Sequence, residues 1–216
     1  GFRRLAAEYY ARYRKPLFHC ETNRVDRFAV DWLHRQREDV QALRGWWNEC
    51  ETGDRAFVTA IRNLCMAHEL AVEAIVSERP DAVIVQGESV EHFHPAGRAA
   101  EPLAEHMNAV KFLSLDLTLG HELAPGMARF LNENGVTSND LSFFREKRVP
   151  EQRWIGLDYY PTCEYRLAST GRRSTKWDGH GFRRLAAEYY ARYRKPLFHC
   201  ETNRVDRFAV DWLHRQ

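Results

Sequence analysis

Three short apolar runs in this chain each close on groups that can bind a polar substrate or carry nucleophilic and proton-transfer chemistry. Ala82–Glu88 ends in Gln86, Gly87 and Glu88; Trp154–Pro161 ends in Asp158, Tyr159 and Tyr160; Pro196–Asn203 ends in His199, Cys200, Glu201, Thr202 and Asn203. A β-branched or apolar run bounded by turn residues reads as a strand buried on both faces. Polar groups collected at the strands' C-terminal ends match the site geometry of a (β/α)8 barrel. Side chains two apart on a regular strand share a face, so His199 and Glu201 are expected to point the same way, with the imidazole able to tune the acid.

The elements needed to hold these tips are legible around them. Phe57, Ile61, Leu64, Cys65, His68, Val72, Ile75 and Val76 fall three and four apart, which predicts an amphipathic helix over Asp54–Arg79 closed by Pro80. Further helices are expected near Glu101–Leu119, Pro125–Asn132, Ser138–Arg145 with Ser138 as N-cap, and Phe182–Tyr193. Strands alternating with helices predict an α/β fold with a parallel sheet and surrounding helices, a partial TIM-barrel-like (β/α)8 arrangement. The doubly wound alternative would carry a Gly-rich phosphate loop, and the sequence has neither GxGxxG nor GxxxxGK[ST].

Residues 1–36 recur letter for letter as residues 181–216. Natural repeats diverge in letters while keeping a pattern, so an unaltered copy points to a recent or artificial event. The chain divides accordingly into a duplicated strand–helix segment, 1–45, and a partial barrel domain, 46–216. One fold cannot give both copies the same address. The opening without methionine suggests a piece of something longer.

Composition bounds the function classes. With 216 residues, 44% apolar and 29% charged, the chain can bury a substantial core. A net charge of +2 with interleaved acids does not call for nucleic acid. No apolar run approaches the roughly 20 residues that span a bilayer, so no membrane partner is expected. Cys20, Cys50, Cys65, Cys163 and Cys200 form no CxxC pair and fit reduced thiols in a cytoplasm.

The run Lys195–Asn203 resembles the seventh-strand signature of family 1 glycoside hydrolases, the β-glucosidase and phospho-β-glycosidase group, in which a Thr-Glu-Asn-Gly-like tip carries a nucleophilic carboxylate. Ile155–Tyr160 looks like the family's sixth-strand Gly-Ile-Asn-Tyr-Tyr motif, with Asp158 where Asn is usual. Gly45–Glu49 with the Asp54 helix, and Asp81–Pro95 with its Gln86-Gly87-Glu88-Ser89 tip, are similar to the fourth helix and fifth strand of bacterial members. The resemblance implies Glu201 as nucleophile, Tyr160 contacting it, and hydrolysis of β-glycosidic bonds by a retaining two-carboxylate mechanism without a cofactor or metal. That chemistry needs carboxyl groups about 5 to 5.5 Å apart. Glu21, the twin of Glu201, is the other candidate nucleophile. Asp158, Glu88, Asn203 and Trp177 are expected to bind the carbohydrate, and His199 to support Glu201 from behind.

Departures from the family pattern bear on activity. The acid/base motif Asn-Glu-Pro is absent, and Asn48-Glu49-Cys50 lies in surroundings that match a later loop. The 180 unique residues fall short of the about 250 of a full barrel. The expected activity is therefore impaired, and the alternative is a catalytically inactive barrel fragment that binds sugar or only folds. Glu88 reads either as a substrate contact and surrogate proton donor or as a solvated strand-end acid. Glu88, Glu91, His92 and His94 are ligand-type residues, but they lack a zinc spacing. The aromatics Trp46, Trp47, Trp154, Trp177, Tyr159, Tyr160 and Tyr165 divide between core packing and sugar stacking. In chain order Leu17–Asn23 could also fill the vacant fourth-strand place beside the Ala82 strand, leaving open sheet edges through which a homodimer can close.

Overall fold

The structure, a computed structural model, describes residues 53–147, 149–160, 162–176 and 180–202. They belong to two compact units: one holds residues up to Gln86 together with Leu113–Trp154, and the other Gly87–Phe112 together with the chain from Ile155. No helix among the described residues is long and apolar enough to cross a membrane.

The first unit is built on helix α1 (Asp54–Glu78). Gly53 precedes it at φ 104°, a left-handed conformation that glycine adopts without a Cβ clash. Its buried face runs Phe57, Val58, Cys65, Glu69, Val72 and Ile75, so the expected stripe also includes an acid. The helix stops at Arg79, whose N–H reaches Ile75 O, one residue before Pro80, which disfavours helical backbone ahead of it.

Helix α3 (Leu113–Thr118) and helix α5 (Ser138–Glu146) pack on α1. Leu113, Leu115 and Leu117 are all buried, each contributing about 1.5–3 kcal/mol of apolar transfer. Helix α4 (Pro125–Glu133) starts with Pro125 in its first turn and buries Met127 and Leu131. The N-cap of α5 is Thr137 and not the expected Ser138. Its hydroxyl accepts from Asp140 N–H (3.2 Å), and Asp140 accepts from Thr137 N–H (2.7 Å), a reciprocal capping box.

In the second unit, helix α2 (Glu101–Val110) carries Asn108, which pairs with strand β2 (His92–Pro95) as a neighbouring strand would. Phe93 N–H donates to Asn108 Oδ1 (3.0 Å) and Asn108 Nδ2 donates to Phe93 O (2.8 Å). Sequence reasoning expected one helix over Glu101–Leu119. Instead the chain breaks at Lys111 and Phe112, where it passes from one unit to the other.

The main sheet has the order β1–β3–β6, from β1 (Ile84–Ser89), β3 (Arg153–Asp158) and β6 (Leu197–Glu201). Strands β3 and β6 are parallel, and among the described residues no closed barrel forms. The expected α/β class with parallel strands and surrounding helices is thus present as a partial fragment. A second sheet was not foreseen: β2 pairs in parallel with β4 (Glu164–Leu167), which pairs antiparallel with β5 (Arg173–Thr175). Gly171 at φ 80° turns the β4–β5 connection.

Helix α6 (Gly181–Tyr193) ends at Arg194 in the left-handed region, φ 52°. It buries Leu185, Tyr189 and Tyr193, spaced four apart on one face. Tyr189 and Tyr193 lay their rings near Phe112, with centroids at 4.9 and 6.2 Å.

Candidate functional site

The tips of β3 and β6 lie side by side. Ile155 N–H donates to Pro196 O (3.0 Å) at the start of the pair, and Tyr159 N–H donates to Glu201 O (2.9 Å) at its end. The register runs Ile155 with Leu197, Gly156 with Phe198 and Leu157 with His199, then jumps to Asp158 with Glu201, leaving Cys200 as the extra residue. Such a bulge bends the strand and re-aims the residues that follow. The alternation assumed for His199 and Glu201 on a regular strand is therefore interrupted between them.

Glu201 is exposed at this tip and Asp158 is half-buried. Glu88, the last residue but one of the neighbouring β1, is buried, 8% exposed, so it is not a solvated strand-end acid. At the same tips Val90 N–H donates to Asp158 O (3.2 Å). Tyr160 is half-buried, and its N–H points at Cys163 Sγ (3.1 Å).

His199 stacks on Phe182 with ring centroids 4.1 Å apart, and its Nε2 is buried without a hydrogen-bond partner. Burial pushes the imidazole below its ordinary value, and a hydrogen bond with the Glu201 backbone opposes this in part. The link from His199 to Glu201 thus runs through the main chain. Glu21, Asn203 and Trp177 lie outside the described residues, as do Trp46, Trp47 and the Leu17–Asn23 segment.

A residue that sequence reasoning missed dominates the polar interior of this unit. Glu164, 1% exposed, accepts from Tyr159 Oη at Oε1 (2.9 Å), from His94 Nε2 at Oε2 (2.7 Å), and from Arg184 at the same oxygen. Burial, then the neighbouring Glu164 charge, drive the Tyr159 phenol far above its usual value, so it stays a donor. Burial lowers His94, with the Glu164 bond opposing.

A second ring of contacts adjoins it. Lys111 Nζ donates to Glu188 Oε2 (2.6 Å), and His92 Nδ1 lies 3.5 Å from Glu188 Oε1. Burial alone would raise Glu188, but His92 and Lys111 bring it down to about 2. Burial lowers Lys111 in turn, with Glu188 opposing. The histidines considered as metal ligands are thus committed to carboxylates, and no group of three or more ligand-type side chains able to hold a metal occurs among the described residues.

Both oxygens of Glu164 are engaged within this cluster, whereas Glu201 at the strand tip is exposed. The missed strand Glu164–Leu167 is only four residues long, too short for an alternation to register, and both of its ends are buried. Tyr165 stacks on Phe93 (5.6 Å, 20°) with Arg173 4.7 Å from its ring centroid, so it serves packing.

No protein-family model matches this sequence, and no curated protein matches it. Solved structures do match in shape. Family 1 β-glucosidase from Thermotoga maritima is 16% identical, with 83% of this chain and 46% of that chain covered at a TM-score of 0.66. The virulence factor SghA from Agrobacterium tumefaciens is 18% identical, with 99% of this chain and 53% of that chain covered at a TM-score of 0.68. The same factor in complex with its substrate analogue salicin is matched at 17% identity and a TM-score of 0.68. The chain spans about half the length of these proteins. Its fold is that of part of a family 1 β-glucosidase.

Proposed function

We propose that this chain is a glycoside-hydrolase-like protein in which Glu201 is the nucleophile toward a β-glycoside, with Asp158, Glu88, Tyr160, Asn203 and Trp177 binding the carbohydrate. The observation that carries the reading is the pairing of the β3 and β6 tips within a fold shared with family 1 β-glucosidases. In a retaining reaction a Glu201 carboxylate oxygen would form a bond to the anomeric carbon as the leaving oxygen departs with a proton. Water would then cleave the glycosyl ester and release that carboxylate.

Without the Asn-Glu-Pro acid, proton delivery to the leaving oxygen is the weakened step. Buried Glu88, at an adjacent strand tip, is the group we assign as surrogate donor. Turnover is accordingly fastest for leaving groups that need little help from an acid. The three described cysteines, Cys65, Cys163 and Cys200, are thiols outside any disulfide, which fits a reducing compartment such as the cytoplasm. We propose neither a nucleic-acid nor a membrane partner.

The test is hydrolysis of an activated fluorogenic aryl β-glucoside by the full chain and by its Glu201→Gln, Glu21→Gln and doubly substituted forms. Release of the aryl alcohol by the unmodified chain, greatly reduced in Glu201→Gln and at background in the double form, is expected. No release by the unmodified chain would favour the inactive fragment, a reading that rests on the missing acid/base motif. Turnover surviving in the double form would exclude both carboxylates as nucleophile.

A further inference from the structure

We infer that the one-residue bulge at Cys200 is what sets Glu201 on the same face as Asp158, and that His199 and Phe182 are the positioning residues that hold it there. Its consequence for turnover rests on Glu201 as the nucleophile; the arrangement of the tip does not.

In a parallel pair, residues in register lie on the same face of the sheet, and successive residues alternate between faces. Ile155 and Leu157 therefore share a face with their partners Leu197 and His199, and Tyr159, two residues on, continues it. Helix α6 covers this face at the tip: Phe182 stacks on His199 with ring centroids 4.1 Å apart and lies 5.6 Å from the Tyr159 ring. Asp158 belongs to the opposite face. The jump in register pairs Glu201 with Asp158, so the two acids share that opposite face, and Glu201 is exposed. Were the extra residue not taken up at Cys200, the same strand would set Cys200 against Asp158 and Glu201 against Tyr159, on the face that Phe182 covers. A slip of one residue thus moves the carboxylate from one side of the sheet to the other.

The bulge is held from two sides. Tyr159 N–H donates to Glu201 O (2.9 Å), and the His199 imidazole reaches past Cys200 to hydrogen-bond the Glu201 backbone. Its Nε2 is buried without a hydrogen-bond partner, so stacking on Phe182, rather than a second hydrogen bond, fixes the plane of the ring. Phe182 is seated in turn by the buried acid. Gly181 sits so close to Glu164 and Tyr159 that a Cβ there would overlap the carboxylate and the phenol oxygen. Arg184 pairs with Glu164, and Tyr159 Oη donates to it (2.9 Å). The Glu164 cluster thereby fixes the first turn of α6, which presents Phe182 to His199.

Solution NMR on the full chain tests this, with glutamate-selective and cysteine-selective labelling to identify which residue type has its Hα beside the Tyr159 amide. In the unmodified chain that neighbour should be a glutamate, because Tyr159 donates to Glu201 O. It should become a cysteine in Phe182→Leu, which removes the stack, and in His199→Phe, which keeps the stack and removes the bond to the Glu201 backbone. Turnover of the aryl β-glucoside should fall about a hundred-fold in both, the usual consequence of misplacing a reacting group. Deleting Cys200 from either variant should bring back the glutamate neighbour and the turnover together, since a regular strand then sets Glu201 opposite Asp158 with no bulge to hold. A purely structural loss would not be repaired by a deletion. Amides of β2 and β4 should stay protected from exchange throughout, because Gly181 and Arg184 keep their places against Glu164.

The inference is overturned if both variants keep the glutamate neighbour, or if deleting Cys200 fails to restore it. Should Phe182→Leu lose the protection of β2 and β4, His199→Phe decides, since it leaves every contact between α6 and Glu164 in place. An unmodified chain that shows the expected neighbours in all forms but no turnover would support the role of the bulge and overturn Glu201 as nucleophile.

Discussion

Glu69 in the first unit and Glu164 in the second are both buried, 3% and 1% exposed, and both meet an arginine, yet their surroundings differ in kind. Among the described residues Glu69 pairs with Arg153 alone: Arg153, itself fully buried, donates to Glu69 Oε1 at 2.7 Å and spends its other arm on Thr118 O at 2.8 Å. Thr118 in turn donates to Gln86 Oε1 (3.0 Å). Burial raises the Glu69 carboxyl, and Arg153 only partly restores it. Glu164 is held by a phenol, an imidazole and a guanidinium together. A lone buried ion pair must recover desolvation of both ions from one contact, whereas a network spreads that demand over several donors. The first arrangement is replaceable by apolar groups of similar volume, and the second is not.

The largest expected effect follows from the network. Glu164→Ala removes the acceptor that Arg184, His94 and Tyr159 share, and should destabilise the second unit by about 5 kcal/mol, the upper end for a broken buried pair. Chemical denaturation with hydrogen-exchange readout on β2 and β4 checks this, and a loss under 1 kcal/mol would mean that the network is dispensable. Arg153→Met should cost the first unit about 3 kcal/mol by stranding Glu69, while Glu69→Met with Arg153→Met should return to within about 1 kcal/mol of the original. The matching double change, Glu164→Met with Arg184→Met, should show no such recovery, because Tyr159 and His94 remain. Equal recovery in both units would erase the distinction drawn here.

Acid sharpens the contrast. His94 titrates lower in the folded chain than the ordinary 6.5, because burial opposes its charge. Its contribution is complete above about 6.5, the unfolded value, and is lost as pH falls through the lower folded value. Glu188, held at about 2, adds a loss of the same sign between about 4.5 and 2. Arg184 and Lys176 add positive charge that a protonated His94 must face. Glu69 behaves oppositely: with its folded value raised, its contribution is complete below 4.5 and lost as pH rises through that value. Exchange protection of β2 and β4 should therefore decline below pH 6.5 before α1 responds. His94→Gln should flatten that first decline and leave the one governed by Glu188.

Much of the scaffold could be read from the letters. The three-and-four spacing from Phe57 to Ile75 gave the longest helix, and the short runs at Ile84, Ile155 and Leu197 gave the three strands of the main sheet, each to within two residues at its start. The second sheet escaped because β2, β4 and β5 are three or four residues long and polar, too short for a period to register. The buried acids escaped for a related reason. Local periodicity assigns Glu69 and Glu164 to solvent, and only partners 84 and 20 residues away make their burial tolerable. At the strand tips the motif located Glu201 beside Asp158, but a one-residue bulge at Cys200, set by pairing with β3, is invisible in either strand alone.

The smallest effect concerns a half-buried acid at a helix N-terminus, and it measures what a capping partner does for a carboxylate. Burial pushes the Asp140 carboxyl up, and the Thr137 N–H, the Thr137 hydroxyl and the Arg62 charge together outweigh it and hold the group below the usual carboxylate value. Thr137→Ala removes the hydroxyl and one half of the capping box but leaves the backbone bond, and should cost about 1 kcal/mol in the exchange of α5 amides. Asp140 should then titrate closer to the ordinary value in a carboxylate-resolved NMR titration. Because its folded value is depressed, its contribution is present above about 3.9 and lost as pH falls, so the variant's deficit should shrink in acid. A deficit constant with pH would show that Thr137 acts through its own backbone preference, and that the charge on Asp140 is incidental to the cap.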